Sequence, residues 1–428
     1  MSDIKVVDNF EGASIGNYHI RDDRIYATLK EEPLVKKDGI VHDYGWHFVF
    51  GLKNNSKNSK EIKIFINCDN KNVLKYKANI LGQQKIDLDF FPLINIEAYT
   101  DTYRKYYIKV LLSEMETIYL SNTYFRNLKL LSNTFENLGK EPNCKREIYG
   151  KSIEARNLIA FIYPKNIPIN NGRPTFLITS GFHPMEADTF ATEAIMEYLN
   201  TDNGQNLLKY FNFVVIPISN PDGFYYGYNG CNVKGINLYW DFRERDAANA
   251  PEAYYLWRFI LKIKPSIYID FHSYTFQMHR KKASPYLKPL YFYKGNEVKN
   301  LVNIINKELV SLHNGSSYSG NSTYAPSTLS YKLTDKFNTV TYAKYHLHIM
   351  DGKEEFKNKA VNILKLISQG LISKNFFDEN KILAYPYGHV RGNIKDTIRV
   401  KTRIFWVFKI KVLIKRILIK IQNLSQPT

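Results

Sequence analysis

The sequence predicts an α/β protein: an α/β/α sandwich around a mixed sheet, preceded by an antiparallel β-sandwich domain. Early in the chain, alternating runs such as WHFVFGL, EIKIFINC and YYIKVLL are separated by Asn/Ser/Lys turns, the period of half-buried strands. Further on, the more continuously apolar runs TFLITS, NFVVIPI and SIYIDFH alternate with stretches of helical periodicity, the pattern of a sheet covered by helices. A chain of 428 residues with 44% hydrophobic content, 32 Tyr and 26 Phe has core material for two or three units.

In chain order, residues 1–135 are expected to form the N-terminal β-sandwich, 136–375 the α/β domain and 376–428 a basic extension. Within the middle unit, TFLITS hands over to the helical EADTFATEAIMEYL. NFVVIPI, SIYIDFH and NTVTYAKYHLHI supply further strands. PEAYYLWRFILKI, VKNLVNIINKELVSL and EEFKNKAVNILKLISQGL supply helices. No internal repeat or low-complexity linker interrupts the sequence.

The net charge is +18, with a large share in the tail IRVKTRIFWVFKIKVLIKRILIKIQNLSQPT. Lysines and arginines that interrupt an Ile/Val/Leu/Phe/Trp run suit an anionic membrane surface or a partner protein. The same tail could instead cap the preceding domain as a strand or helix. No nucleic-acid partner is expected: the charge would attract phosphate, but no recognition motif accompanies it. The opening MSDIKVVDNFEG is not a charged-then-apolar leader, and no apolar run reaches lipid-spanning length. Cys68, Cys144 and Cys231 form neither a disulfide framework nor a zinc motif. A reducing, cytoplasmic setting is the expectation, with the tail as a candidate membrane contact.

The chemistry concentrates at His183 and Glu186 in TSGFHPMEADTF and at His272 in YIDFHSY. Two imidazoles and a carboxylate with an open fourth position are the ligand set of a catalytic site for one Zn2+ ion. The first pair falls where a strand passes into a helix. His272 falls in or just beyond SIYIDFH, and such strand ends are where open α/β sheets place their sites.

GFHPMEA, NPDG at 220–223, GINLYWDF at 235–242 and DFHSY at 270–274 follow one another in the order seen in the M14 family of zinc carboxypeptidases, which this sequence resembles over roughly residues 140–372. IYGKSIEARNLIAFIYP resembles the family's entry to its catalytic domain, a strand, a short turn and a second strand. The region before it resembles the β-sandwich of the cytosolic carboxypeptidase branch.

The resemblance implies that His183, Glu186 and His272 are the zinc ligands. It places Asn237 where an aspartate usually supports the first ligand histidine, and an Asn carbonyl can still orient an imidazole with less charge support. NPDG looks like the family's turn below the site, and is also a turn sequence in its own right. Tyr324 is the candidate for the family's mobile substrate-reaching tyrosine, or else a structural residue. Asp270 shares a strand face with His272, for a supporting or buried hydrogen-bonded role.

Two departures matter more. Where most members hold an Asn-Arg pair for the substrate carboxylate, this chain has Tyr239 and Trp240, which lack the bidentate fork of a guanidinium. Arg243 and Arg245 could supply charge from one turn further on, or form a solvated loop. Matching the family's Thr-aromatic-Glu pattern to Thr341-Tyr342 puts Ala343 at the general-base position, and loss of a general base typically costs roughly 10²- to 10⁴-fold. On a regular strand Lys344 takes the opposite face and Tyr345 the same face as Ala343. His346 or His348 could replace the base, or be structural. The expected function is a zinc-dependent hydrolase cleaving an amide bond in a modified or non-standard peptide-like small substrate. The alternatives are an inactive zinc-binding relative that binds a peptide or partner, and an amidase or deacylase.

Overall fold

The computed structural model describes residues 3–34, 45–101, 104–166, 172–274, 290–292, 327–337, 339–348 and 352–373. Tyr324, the helix expected around VKNLVNIINKELVSL and the basic tail lie outside them. Among the described residues, no helix is long and apolar enough to cross a membrane.

The N-terminal strands assemble into two sheets. One runs in the order Ile4–Val7, Val49–Asn54, Thr117–Ser121, Leu81–Gln83, Phe91–Pro92. The other runs Tyr18–Arg21, Arg24–Ala27, Lys60–Ile66, Tyr106–Leu112, Glu97–Thr100, Tyr76–Lys77. Period-two alternation sends Ile62, Ile64, Ile66, Ile108, Val110 and Leu112 of the second sheet inward to meet Ile4, Val6, Phe50, Leu52 and Leu120 of the first. A fully buried Phe such as Phe48 or Phe50 contributes about 1.5–3 kcal/mol. The pairing is antiparallel except between Arg24–Ala27 and Lys60–Ile66, which run parallel.

Seven strands form the third sheet: Lys145–Lys151, Asn157–Tyr163, Asn212–Ile216, Thr175–Thr179, Ile267–Tyr274, Val340–His348, Leu290–Phe292. Its centre is parallel and its margins antiparallel. Central strands are apolar on both faces because helices cover both. Phe176, Ile178, Phe213, Val215, Ile269 and Phe271 face one layer, with Phe190, Ile195 and Met196 from Thr189–Leu199 and Phe356, Ile363 and Leu364 from Lys353–Ser373. Leu177, Val214, Ile216 and Tyr268 face the other, with Leu256, Phe259 and Ile260 from Pro251–Ile263 and Leu333 from Leu329–Phe337.

Two local expectations change. NPDG opens a helix, Pro221–Tyr226, rather than forming only a turn: Asn220 Oδ1 accepts from Gly223 N at 3.0 Å and proline takes the first turn, a favoured capping arrangement. Asp222 then accepts from Ser152 Oγ, Glu154 N and Arg156, fixing the turn between the first two strands of the sheet. The strand Val340–His348 is also irregular. Its pairing steps from Ile269↔Tyr342 to Phe271↔Tyr345, so Ala343 and Lys344 together lie across from Asp270. The regular pairing on which the face alternation expected for Ala343, Lys344 and Tyr345 rests is therefore interrupted there by one extra residue.

Candidate metal centre

Strand Thr175–Thr179 ends in the sheet's centre, and Gly181 at φ +70° turns the chain away. A Cβ there would lie 2.8 Å from Pro217 O. The next turn is a single 3₁₀ turn, Pro184–Glu186, closed by Glu186 N donating to His183 O at 3.0 Å. In 3₁₀ geometry residues three apart eclipse, so His183 and Glu186 present their side chains together. His272 comes from Ile267–Tyr274, which is paired in parallel on both sides. All three residues are buried, with Glu186 4% exposed and both histidines 0%.

Their atoms converge. His183 Nδ1 lies 3.0 Å from Glu186 Oε1 and His272 Nδ1 lies 2.8 Å from Glu186 Oε2. Behind them, His183 Nε2 meets Asn237 Oδ1 at 3.3 Å and His272 Nε2 meets Asp270 Oδ2 at 2.9 Å. Those oxygens accept, so each imidazole keeps a proton on Nε2 and directs Nδ1 at the carboxylate. Two lone pairs facing a carboxylate need positive charge between them, supplied by protons or by one divalent ion. Burial alone would raise the Glu186 carboxyl, yet His183 and His272 hold it well below the usual carboxylate range. Burial would depress the His272 imidazolium, but Asp270 and Glu186 raise it to about 10.

The candidate ligand atoms lie within 4.8 Å of one another. Tetrahedral zinc with bonds of about 2.0–2.2 Å to N and O sets its ligand atoms roughly 3.3–3.6 Å apart, inside that limit. Two imidazoles and one carboxylate leave a fourth position for chemistry. The residues present fit a single Zn2+ ion.

Asn237 Oδ1 also accepts from Tyr239 N and Trp240 N, both at 3.1 Å, while its Nδ2 is buried and has no partner among the described residues. The carbonyl thus does the orienting work of a carboxylate oxygen and the amide nitrogen is left over. Asp270 is braced by Thr179 Oγ1, which donates to its Oδ1 at 2.8 Å.

Tyr239 is 1% exposed, and its ring packs edge-on against His272 at 4.9 Å and His183 at 6.0 Å. That burial leaves a substrate little surface to touch and sets the ring against the two histidines. Trp240 is half-buried against Tyr239. Arg243 directs Nε and Nη2 at Asp241 Oδ2 (3.0 and 2.8 Å) and Nη1 at Asp246 Oδ2 at 3.4 Å, so its charge is already matched, whereas Arg245 is exposed. The backbone register sets His346 beside His272 and Ala343 beside Leu290.

Sequence reasoning missed several neighbours. Asp188 accepts from Gly181 N at 3.0 Å, and burial pushes its carboxyl well above the usual range, with His272 opposing and Glu186 reinforcing. Thr179, Thr123 and Asn229 also support the site. Asp188 and Thr179 lie near the motifs and could have been suspected; Thr123 and Asn229 are long-range partners that no local spacing announces.

A zinc carboxypeptidase family model matches residues 133–372. Among curated proteins, cytosolic carboxypeptidase 6 of Mus musculus is 26% identical over 145 residues, covering 31% of this chain and 27% of that protein. Cytosolic carboxypeptidase 1 of Gallus gallus is 27% identical over 121 residues, covering 26% of this chain and 10% of that protein. The chain thus aligns with about a quarter or less of these relatives' length. Among solved structures, a metallo-carboxypeptidase from Burkholderia cenocepacia superposes with a TM-score of 0.66 at 15% identity, covering 87% of this chain and 100% of that one. One from Pseudomonas aeruginosa gives 0.67 at 12% identity, covering 86% and 99%. At such identities these structures speak for the fold, which extends through the N-terminal sheets. Because the family model spans more than half of the 428 residues and encloses the whole buried triad, the chain belongs to the zinc carboxypeptidase family.

Proposed function

We propose that this protein is a zinc-dependent hydrolase of the metallocarboxypeptidase type that cleaves an amide bond in a modified or non-standard peptide-like small substrate. The observation that carries the reading is the convergence of both Nδ1 atoms on the two oxygens of Glu186, with each Nε2 held from behind. Zinc bound there supplies a Lewis acid for the scissile carbonyl. The chain's own part is to keep the Nε2 protons on the side of Asn237 and Asp270, to turn both Nδ1 atoms toward Glu186, and to seal the ligands from bulk water. Tyr324 and His346 are the proposed groups for proton movement, in place of the carboxylate that Ala343 lacks.

The proposed substrate class is supported by what surrounds the site. An ordinary free C-terminus calls for a bidentate guanidinium. Here Tyr239 is buried, Trp240 is aromatic and Arg243 is committed to Asp241 and Asp246. The same reading divides the chain into an N-terminal sandwich, 1–135, a catalytic unit, 136–375, and a basic extension, 376–428, the last proposed to touch anionic lipid or a partner protein. A cytoplasmic setting is supported by the names of the cytosolic relatives and by Cys68, Cys144 and Cys231 being free.

Ala343 favours a second reading, a non-catalytic zinc-binding protein that holds a peptide or partner. Zinc-loaded protein incubated with free-C-terminal, blocked and N-acyl peptides, with His183→Ala as control and products read by mass spectrometry, separates the two. Zinc-dependent loss of a terminal residue supports the carboxypeptidase reading, and loss of an acyl group supports the deacylase alternative. No turnover across the library by protein with one zinc bound would replace the hydrolase reading with the binding one.

A further inference from the structure

The 3₁₀ turn that supplies His183 and Glu186 is short and lies outside the sheet, yet both backbone polar groups of Met185, midway along it, are held by side chains distant in sequence. Met185 N donates to Asn229 Oδ1 at 2.8 Å, and Met185 O accepts from Thr123 Oγ1 at 2.9 Å. Thr123 follows the strand Thr117–Ser121 of the five-stranded N-terminal sheet and is fixed by its own N–H donating to Ser121 Oγ at 3.0 Å. It is 1% exposed.

Asn229 is held in turn by the N-terminal part of the chain. Both carboxylate oxygens of Glu32 are used, one accepting from Asn229 N and the other from Gly230 N, each at 2.7 Å. The residues just before Asn229 are gripped as well: Gly12 N donates to Tyr225 O at 2.8 Å, Lys30 Nζ to Tyr226 O at 2.5 Å, and His47 Nε2 lies 3.0 Å from Gly227 O. The approach is close enough that a Cβ on Gly227, itself at φ +66°, would lie 2.5 Å from Ala13 O. Two routes therefore run from the N-terminal sheets to one metal-ligand turn, a direct one through Thr123 and a relayed one through Glu32 and Asn229.

We propose that Thr123 and Glu32 are positioning residues of the metal centre, so that the N-terminal sandwich sets the zinc affinity of a site whose ligands all lie outside it. The inference rests on the zinc reading of the site and adds to it the source of its preorganisation. A ligand set must be held to a fraction of an ångström by its support to bind at full strength. A lone 3₁₀ turn with Ala187 in the left-handed region at φ +57° has little of its own to hold it. Removing one tether leaves the ligands in place but lets the turn sample other arrangements, which lowers affinity without removing a donor atom.

The test uses the full chain with Thr123→Val, Thr123→Ser and Glu32→Gln. Zinc affinity is read by chelator competition, the ligand field by the visible absorption of the Co2+-loaded protein, and folding by thermal unfolding of the metal-free form. Thr123→Val and Glu32→Gln are expected to bind one zinc about 10-fold more weakly and to shift the cobalt bands, while Thr123→Ser, which keeps the hydroxyl, restores both. The comparison is made on whichever of the two tether variants keeps the wild-type melting temperature without metal; loss of folding in both would overturn the positioning role in favour of a purely structural one. Affinity within about twofold of wild type, or a loss that Thr123→Ser shares fully, would also overturn it. Failure of the wild-type protein itself to bind zinc would instead overturn the reading of the site, so the two failures are distinguishable.

Discussion

The two halves of the metal centre are built in different ways. His272 stands on a strand paired on both sides, and the oxygen behind its Nε2 belongs to a carboxylate, Asp270, that Thr179 braces. His183 and Glu186 stand on one 3₁₀ turn, and the oxygen behind His183 belongs to an amide, Asn237. The strand half has its rigidity from the sheet and its charge from its neighbour. The turn half takes its rigidity from distant parts of the chain and its backing from a neutral group. A ligand triad that reads as one motif in the sequence is, physically, one rigid charged support and one tethered neutral support.

The joint between the halves is Glu186, whose carboxylate faces both imidazoles. Glu186→Ala is expected to have the largest effect. Removing one of three protein ligands takes on the order of a quarter to a third of a zinc binding free energy of about 10–16 kcal/mol, a loss of roughly 10²- to 10⁴-fold. Metal analysis after dialysis against a weak chelator measures it. Retention of one tightly held zinc by this variant would place the ion elsewhere.

Acid should act on the turn half first, through His47. Burial lowers its pKa from the usual 6.5 to about 4, the Gly227 carbonyl raising it and Lys30 lowering it further. A group with a depressed folded pKa stabilises the fold fully above its unfolded value. That stabilisation is lost as pH falls from about 6.5 towards about 4 and amounts to about 3 kcal/mol. His47 sits on the Gly227 contact, so weakening it loosens the loop carrying Asn229. Denaturant unfolding of the metal-free protein at pH 7 and pH 5 checks the sign, and His47→Gln should flatten the slope. An unchanged slope in that variant would assign the acid sensitivity to other groups.

On the strand half, Asp270→Asn keeps an acceptor for His272 but removes the charge. Zinc affinity is expected to fall roughly 10- to 100-fold, read by chelator competition. A fall much smaller than this would mean that Thr179 and the sheet, rather than the carboxylate charge, keep His272 in place.

What the sequence made legible follows the same division. The strands ending at Thr179 and near His272 were readable because continuous apolar runs leave little choice of structure, and the ligand pair because its spacing falls at a strand end. Pro221–Tyr226 was readable only as a turn, since a proline after a capping asparagine starts a helix as readily as it punctuates a loop. The extra residue at Ala343–Lys344 was not legible, because a bulge depends on both paired strands and not on one. The tethers were illegible for a stronger reason: Thr123 and Met185, or Glu32 and Asn229, are joined by single hydrogen bonds across long separations, and nothing in either local sequence records its partner. The buried position of Tyr239 was hidden as well, since GINLYWDF has no period that separates its inward from its outward residues.

Asn237→Asp has the smallest expected effect and the sharpest bearing on the comparison, because it should make the turn half resemble the strand half. The new carboxylate keeps the acceptor used by His183 Nε2, Tyr239 N and Trp240 N, and it removes the buried Nδ2 that has no partner among the described residues. A buried unpaired donor costs about 1–3 kcal/mol, and a charged acceptor behind a ligand imidazole raises its basicity. The second change favours the metal-bound form, so zinc should bind about 10-fold more tightly, whereas losing the unpaired donor acts on both forms alike. The opposing cost is that of burying a second negative charge near Glu186 and Asp270, which falls mainly on the metal-free state, where no ion offsets it. The metal-free melting temperature should therefore drop while the zinc-loaded one holds or rises. Weaker zinc binding by Asn237→Asp would mean that this site is tuned for a neutral support, and that the asparagine sets the charge of the centre rather than merely tolerating a lost carboxylate.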